Sequence, residues 1–134
     1  MWLLDTNVWI AYLERKSNPV KERIAELPEA QILLCDVVKA ELLYGAYRSS
    51  RVEQNLAKLE LLFSLVKSLP FDGAAAHEFG VIRAHLARQG TPIGPYDLQI
   101  AAIARAHNLI LVSHNTREFS RVPCLALEDW ETTL

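Results

Sequence analysis

The hydrophobic positions of this chain alternate between short continuous runs and longer stretches at helical spacing. Trp2-Leu3-Leu4 is a short apolar run that reads as a strand, and a helix follows at once through Val8, Trp9, Ala11, Tyr12 and Leu13. Pro19 stands where a helix start favours proline, and Val20 to Leu27 continues that helix. Ile32-Leu33-Leu34-Cys35 reads as a second strand. Asp36 is the expected cap of the next helix, which runs through Glu41 to Tyr47. Val52, Leu56, Leu59, Leu62, Phe63 and Val66 recur at the spacing of a long amphipathic helix. Leu69-Pro70-Phe71 is a poor strand that suits a sheet edge, because proline has no backbone donor.

Ala74 to Arg88 forms another helix, which Gly90 can end. The loop Gly90-Thr91-Pro92-Ile93-Gly94-Pro95 is rigid and helix-breaking. Leu98 to Ala106 is apolar nearly all round, the mark of a buried helix. Leu109 to Val112 is a clear strand, and Leu125 to Leu127 a short one. Strands that alternate with helices predict an α/β domain: a mainly parallel central sheet of four to five strands with helices on both faces. No repeat, linker or low-complexity stretch interrupts the pattern, and 134 residues fit one domain, 1–134.

Hydrophobic residues make up 51% of the chain, enough for a real core and too many for a disordered segment. No apolar run reaches the roughly 18 residues of a membrane span. The opening lacks a basic segment, an apolar stretch and a small-residue cleavage site, so no signal peptide is expected and the location is read as cytoplasmic. Cys35 and Cys124 lack Cys-x-x-Cys or Cys-x-x-His spacing, so they are expected as reduced, buried thiols rather than metal ligands. The net charge of −2 weighs against a nucleic-acid partner. Setting four acids aside as metal ligands leaves 14 basic residues against 12 acidic ones, so local patches matter more than the total.

Those four acids carry the candidate chemistry. Asp5 closes the first strand, at the carboxyl edge where open parallel sheets bind ligands. Glu41 lies among the apolar residues Ala40, Leu42 and Leu43, where an unpaired acid is costly. Asp97 opens the most apolar helix, and Glu118 follows the fourth strand, three residues after Asn115. Like charges brought together raise one another's pKa, and a divalent cation removes that cost. Hard cations such as Mg2+ take oxygen ligands and bind phosphate oxygens, which suits activation of water at a phosphodiester.

Plainer roles fit each residue singly. Asp5 can cap the first helix, Asp97 can complement a helix dipole, and Glu118 can be a surface acid beside Arg117 and Arg121. For Glu41 the plainer role is an ion pair with Lys39, which two-residue spacing on a helix disfavours. Asp5-Thr6-Asn7 also invites comparison with an aspartyl-phosphate phosphatase, but that chemistry wants a second acid where Asn7 stands. His77, His85, His107 and His114 share no ligand spacing, although His114 falls near the proposed site. No nucleophile elbow or phosphate-cradling glycine loop occurs.

Four blocks carry a resemblance: Leu4-Asp5-Thr6-Asn7; Ala40-Glu41-Leu42-Leu43-Tyr44-Gly45-Ala46; Gly90-Thr91-Pro92-Ile93-Gly94-Pro95-Tyr96-Asp97 with the apolar helix from Leu98; and Leu111-Val112-Ser113-His114-Asn115-Thr116-Arg117-Glu118-Phe119, running on to Val122-Pro123. In this order, over nearly the whole chain, they resemble the PIN-domain family, and more closely the VapC-type toxins of bacterial toxin–antitoxin pairs. The resemblance implies a three-layer PIN-like domain and an Mg2+- or Mn2+-dependent endoribonuclease that hydrolyses RNA by water activated at the metal. By position, Asp5 and Asp97 look like the main metal ligands, Glu41 like the acid that orients the water, and Glu118 like the fourth acid. Ser113 stands in place of the family's usual threonine, His114 where asparagine is frequent, and Cys124 where glycine is common; Ser113 and Asn115 are expected as site-orienting residues.

The same resemblance implies a homodimer, a small antitoxin of the VapB type that inserts into the active-site groove, and structured RNA, including transfer RNA, as substrate. Arg48 and Arg51, in the loop before the long helix, together with Arg117 and Arg121, are candidate phosphate contacts, with solvated surface charge as the competing reading. The alternative at the level of function is a non-catalytic PIN-like module that only binds RNA or protein, against which retention of all four acids argues.

Overall fold

The computed structural model describes residues 1–132. Five parallel strands, β1 (Trp2–Leu4), β2 (Ile32–Cys35), β3 (Ser68–Leu69), β4 (Ile110–Val112) and β5 (Leu127–Glu128), form one sheet in the order β3-β2-β1-β4-β5. Seven α-helices connect them: α1 (Thr6–Leu13), α2 (Pro19–Glu26), α3 (Asp36–Arg48), α4 (Val52–Leu65), α5 (Gly73–Gln89), α6 (Pro95–Ala106) and α7 (Thr116–Phe119). A 3-10 turn, Glu29–Gln31, precedes β2. The expected α/β class and mainly parallel sheet are borne out, with five strands and parallel pairing throughout.

Strand order places the functional edge. From β1 the chain builds outward through β2 to β3, then returns to the other side of β1 for β4 and β5. With right-handed crossovers, the connections of the two halves cover opposite faces. The reversal opens a crevice at the carboxyl ends of β1 and β4, where no connection crosses. Register confirms that these ends are level, since Leu4 pairs with Val112. Asp5 and Ser113, the next residues of each strand, are therefore delivered to one place.

The core lies on both sides of the sheet. Leu3, Leu4, Leu33, Leu34, Leu111 and Val112 are buried in the strands. Leu98, Ile100, Ala101, Ala102, Ile103 and Ala104 are buried along α6, which accounts for its all-round apolar pattern. Gly90 ends α5 at φ 69, the left-handed conformation that an L side chain resists. The last strand is held by aromatics. Glu128 Oε1 accepts from Trp130 Nε1 at 2.9 Å and from Trp2 Nε1 at 3.3 Å, and the two indoles lie 6.2 Å apart.

Several expectations need correction. Asp36 does not cap α3. Cys35 occupies the cap position without a side-chain bond, while Asp36 Oδ1 accepts from Ser68 Oγ at 2.5 Å, because β3 pairs beside β2 and brings Ser68 within reach. The last strand is Leu127–Glu128 rather than Leu125 to Leu127, its register set by pairing with Leu111 and Val112. Arg48 ends α3 and Arg51 caps α4, so only Arg51 is outside a helix. Both cysteines are free, but only Cys35 is buried and Cys124 is exposed. Cys124 holds φ 59, a conformation that glycine accepts more readily, which fits its place where the resembled family carries glycine.

Candidate active site

The crevice is built from four directions. Asp5 is the N-cap of α1, and its Oδ1 accepts from Val8 N at 3.1 Å. It is only 7% exposed, and the Ser113 side chain hydrogen-bonds to it. Burial pushes the Asp5 carboxyl above its ordinary range; the Ser113 and Val8 bonds oppose the rise, and the charges of Glu131 and Glu41 add to it. The capping and site roles are thus compatible: one oxygen caps the helix and the carboxylate still faces other acids.

Glu41 enters from α3, where Oε1 accepts from Thr6 Oγ1 at 2.8 Å. This explains how an acid is tolerated among apolar neighbours: it is half-buried and hydrogen-bonded by the residue after Asp5. Asp97 is the third residue of α6, and Glu118 lies on the short helix α7 rather than on a loop. Asn115 Nδ2 donates to Glu118 Oε2 at 2.9 Å and to Asp97 Oδ2 at 3.4 Å, bridging the two. Burial, then a hydrogen bond and the charge shared with Glu118, then Asp5 and Glu41, raise the Asp97 carboxyl to about 6. Burial is thus the main cause of the rise, and the neighbouring carboxylates add to it.

The structure thus brings Asp97 into the neighbourhood of Asp5, Glu41 and Glu118, with Ser113 bonded to Asp5 and Asn115 bonded to Asp97 and Glu118. Ser113 is fully buried, and its Oγ accepts from Asn115 N at 2.9 Å, locking the strand end. Three contributors escaped the sequence reading: Thr6, Asp129 and Glu131. Asp129 follows β5 as Asp5 follows β1, so the rule that singled out one acid could have found the other. His114 Nδ1 lies 3.0 Å from Asp129 Oδ2 and 3.5 Å from Glu131 Oε2.

The arginines are less tightly drawn in. Arg48 is exposed, two turns beyond Glu41 on α3, with its guanidinium 5.6 Å from the Tyr44 ring. Arg51 and Arg117 are exposed, while Arg121 is tied to the loop before α6 through Pro92 O at 3.4 Å. Beside Glu41 runs a groove of about 360 Å³ lined by Ile10, Leu13, Leu42, Ala46 and Leu59, with Lys58 at its side.

The donor set fits a hard divalent cation. All four groups offer carboxylate oxygens, and the raised Asp97 carboxyl reflects burial and like-charge repulsion that a cation would relieve. Fold and site together define an α/β domain with neighbouring carboxylates at the reversal point of its sheet. The model of the PIN domain matches residues 2–124, and the chain belongs to that family. The resemblance drawn from the four sequence blocks is therefore borne out. Among curated relatives, the tRNA(fMet)-specific endonuclease VapC of Shigella flexneri is 46% identical over 129 residues, covering 96% of this chain and 97% of the relative. Among solved structures, DNA-bound VapBC from Salmonella typhimurium matches with a TM-score of 0.90 at 41% identity, covering 96% of this chain and 97% of that one. VapBC2 from Rickettsia felis, bound to a DNA fragment from its promoter, matches with a TM-score of 0.89 at 33% identity, covering 96% and 98%.

Proposed function

We propose that this protein is the endoribonuclease toxin of a VapBC-type toxin–antitoxin pair, hydrolysing phosphodiester bonds in structured RNA, with transfer RNA as the substrate class. The observation that carries the reading is the convergence of Asp5, Glu41, Asp97 and Glu118 at the sheet's reversal point, in a chain 46% identical to a tRNA-specific endonuclease.

Asp5 and Asp97 would hold the ion, Mg2+ or Mn2+. Both carry raised pKa values and both gain when a cation replaces the missing counter-charge. Once bound, the ion would neutralise charge on the phosphate and ease deprotonation of the attacking water. Glu41 has one oxygen engaged by Thr6, which fixes the carboxylate and leaves the second oxygen to orient a water or accept its proton. Asn115 holds Glu118 and Asp97 in register, and buried Ser113 holds Asp5. Arg48, Arg51, Arg117 and Arg121 supply phosphate contacts around the crevice, Arg121 through a position already fixed by the loop before α6.

The apolar groove beside Glu41 suits an amphipathic segment of a small antitoxin, which would cover the site by lying along α1, α3 and α4. Structural relatives are themselves toxin–antitoxin complexes, which supports that partner. Leu61 and Leu65, one turn apart on α4, are 63% and 70% exposed, an apolar stripe in keeping with a homodimer. Among the described residues no helix is long and apolar enough to cross a membrane, in keeping with a cytoplasmic enzyme.

The test is cleavage of purified transfer RNA, with and without chelator. RNA should survive in excess chelator and be cut again when Mg2+ or Mn2+ is restored, with an Asp5→Ala control inactive throughout. Full cleavage in chelator would refute the metal mechanism.

A further inference from the structure

His114 stands between the two residues that orient the acids. Ser113 before it hydrogen-bonds to Asp5, and Asn115 after it bridges Asp97 and Glu118. Its side chain is 65% exposed, and its contacts with Asp129 and Glu131 run through Nδ1 alone. Asp129 is itself fixed: Oδ1 accepts from Glu131 N at 2.9 Å, and Oδ2 accepts from Thr132 Oγ1 at 2.7 Å as well as facing the imidazole. The turn that carries it is anchored by the Trp130 bond to Glu128. A carboxylate that engages Nδ1 sets the ring's orientation and leaves Nε2–H as the outward donor.

We propose that His114 is a substrate-contact residue, held by Asp129 through Nδ1 and presenting Nε2–H to a backbone phosphate oxygen of RNA beside the carboxylate crevice. The proposal rests on the nuclease reading above and adds a residue to it. Three charged groups face the imidazole: Asp129 and Glu131 from the segment after β5, and Asp5 from the end of β1. All three favour the imidazolium, Asp129 most, so the ring keeps its positive charge to higher pH than a free histidine. An imidazolium donor to phosphate is a charge-assisted bond at a site otherwise rich in acids.

A metal ion held by the same three side chains is the competing use, since their ligand atoms lie within 4.8 Å of one another. The geometry favours the phosphate contact, because both Asp129 oxygens already accept hydrogen bonds and Nδ1 is turned toward Asp129 rather than toward an open position.

The test is fluorescence anisotropy of labelled initiator transfer RNA on Ca2+-loaded wild type, His114→Ala, His114→Lys and Asp129→Asn, from about 50 to about 200 mM salt. At about pH 6 the alanine variant should bind about tenfold more weakly, with a salt slope smaller by roughly 0.7–0.9, the signature of one lost phosphate contact. Toward about pH 8 the difference should narrow as the histidine loses its proton. Lysine should restore affinity at both pH values, and Asp129→Asn should move the loss to lower pH. Wild-type affinity and slope in the alanine variant would overturn the proposal, as would a folded lysine variant that binds no better than alanine. Loss of Mn2+ or Zn2+ binding in His114→Ala with RNA affinity unchanged would assign the trio to a metal instead. Wild type that binds the RNA without cutting it in Mg2+ would defeat the nuclease reading and leave the contact standing. Wild type that binds no RNA would defeat both.

Discussion

Asp97→Asn separates a site built for a cation from a helix built for stability. In the folded chain the Asp97 carboxyl holds its proton up to about 6, against an ordinary 3.8. Between these values the folded state binds more protons than the unfolded one, so stability falls as pH rises through about 6. The full difference corresponds to about 3 kcal/mol at ~1.4 kcal/mol per pH unit. Asp97 is only half-buried, and solvent screening reduces this to on the order of 1–2 kcal/mol. Asparagine removes the charge and keeps the shape. It also forfeits a favourable interaction with the α6 dipole, worth about 0.3–1 kcal/mol at such a position. In chelator at neutral pH the net effect should raise the melting temperature by a few degrees, since ~1 kcal/mol moves a domain of this size by about 3–5 °C.

Calorimetric melts in chelator across pH 4 to 8 measure both the rise and its origin. Wild type should lose stability between about pH 4 and about pH 6, and the variant should lose less of it. Added Mg2+ should stabilise wild type more than the variant, because a ligand confined to the folded state stabilises in proportion to its affinity. RNA cleavage by the variant should disappear. The reasoning fails if Asp97→Asn melts lower in chelator with an unchanged pH profile and an undiminished response to Mg2+; Asp97 would then be a dipole-complementing acid and no more.

At Asp5, asparagine keeps the acceptor for Val8 N while alanine removes it, so both variants should be inactive on RNA but only alanine should lose about 1 kcal/mol of stability in melts. Replacing Arg48 and Arg51 together by alanine should weaken transfer-RNA binding in a filter or anisotropy assay and reduce its salt slope by about 1–2, as expected for one or two lost phosphate contacts. Unchanged slope would return both arginines to ordinary surface charge.

The sequence determined the elements and pointed to most of the candidate site. Periodicity located every helix longer than one turn, because apolar spacing at the helical repeat is imposed by which face must be buried. It singled out Asp5, Glu41 and Asp97 because each sits at a strand end, a helix start or an apolar face, where an acid is costly enough to need a reason; Glu118 was singled out mainly by the family resemblance. Tertiary structure decided what depends on distant neighbours. Asp36 reads locally as a cap, yet β3 brings Ser68 to it and the cap is left to a backbone without a side-chain bond. Cys124 reads as a buried thiol, yet its turn exposes it at a positive φ. Asp129 and Glu131 carry no local signal that joins them to His114, 15 and 17 positions earlier; β5 pairing beside β4 brings them together. Local propensity sees only the few residues around a position, whereas a carboxylate's partner is fixed by strand order, and strand order is set by packing of the whole chain.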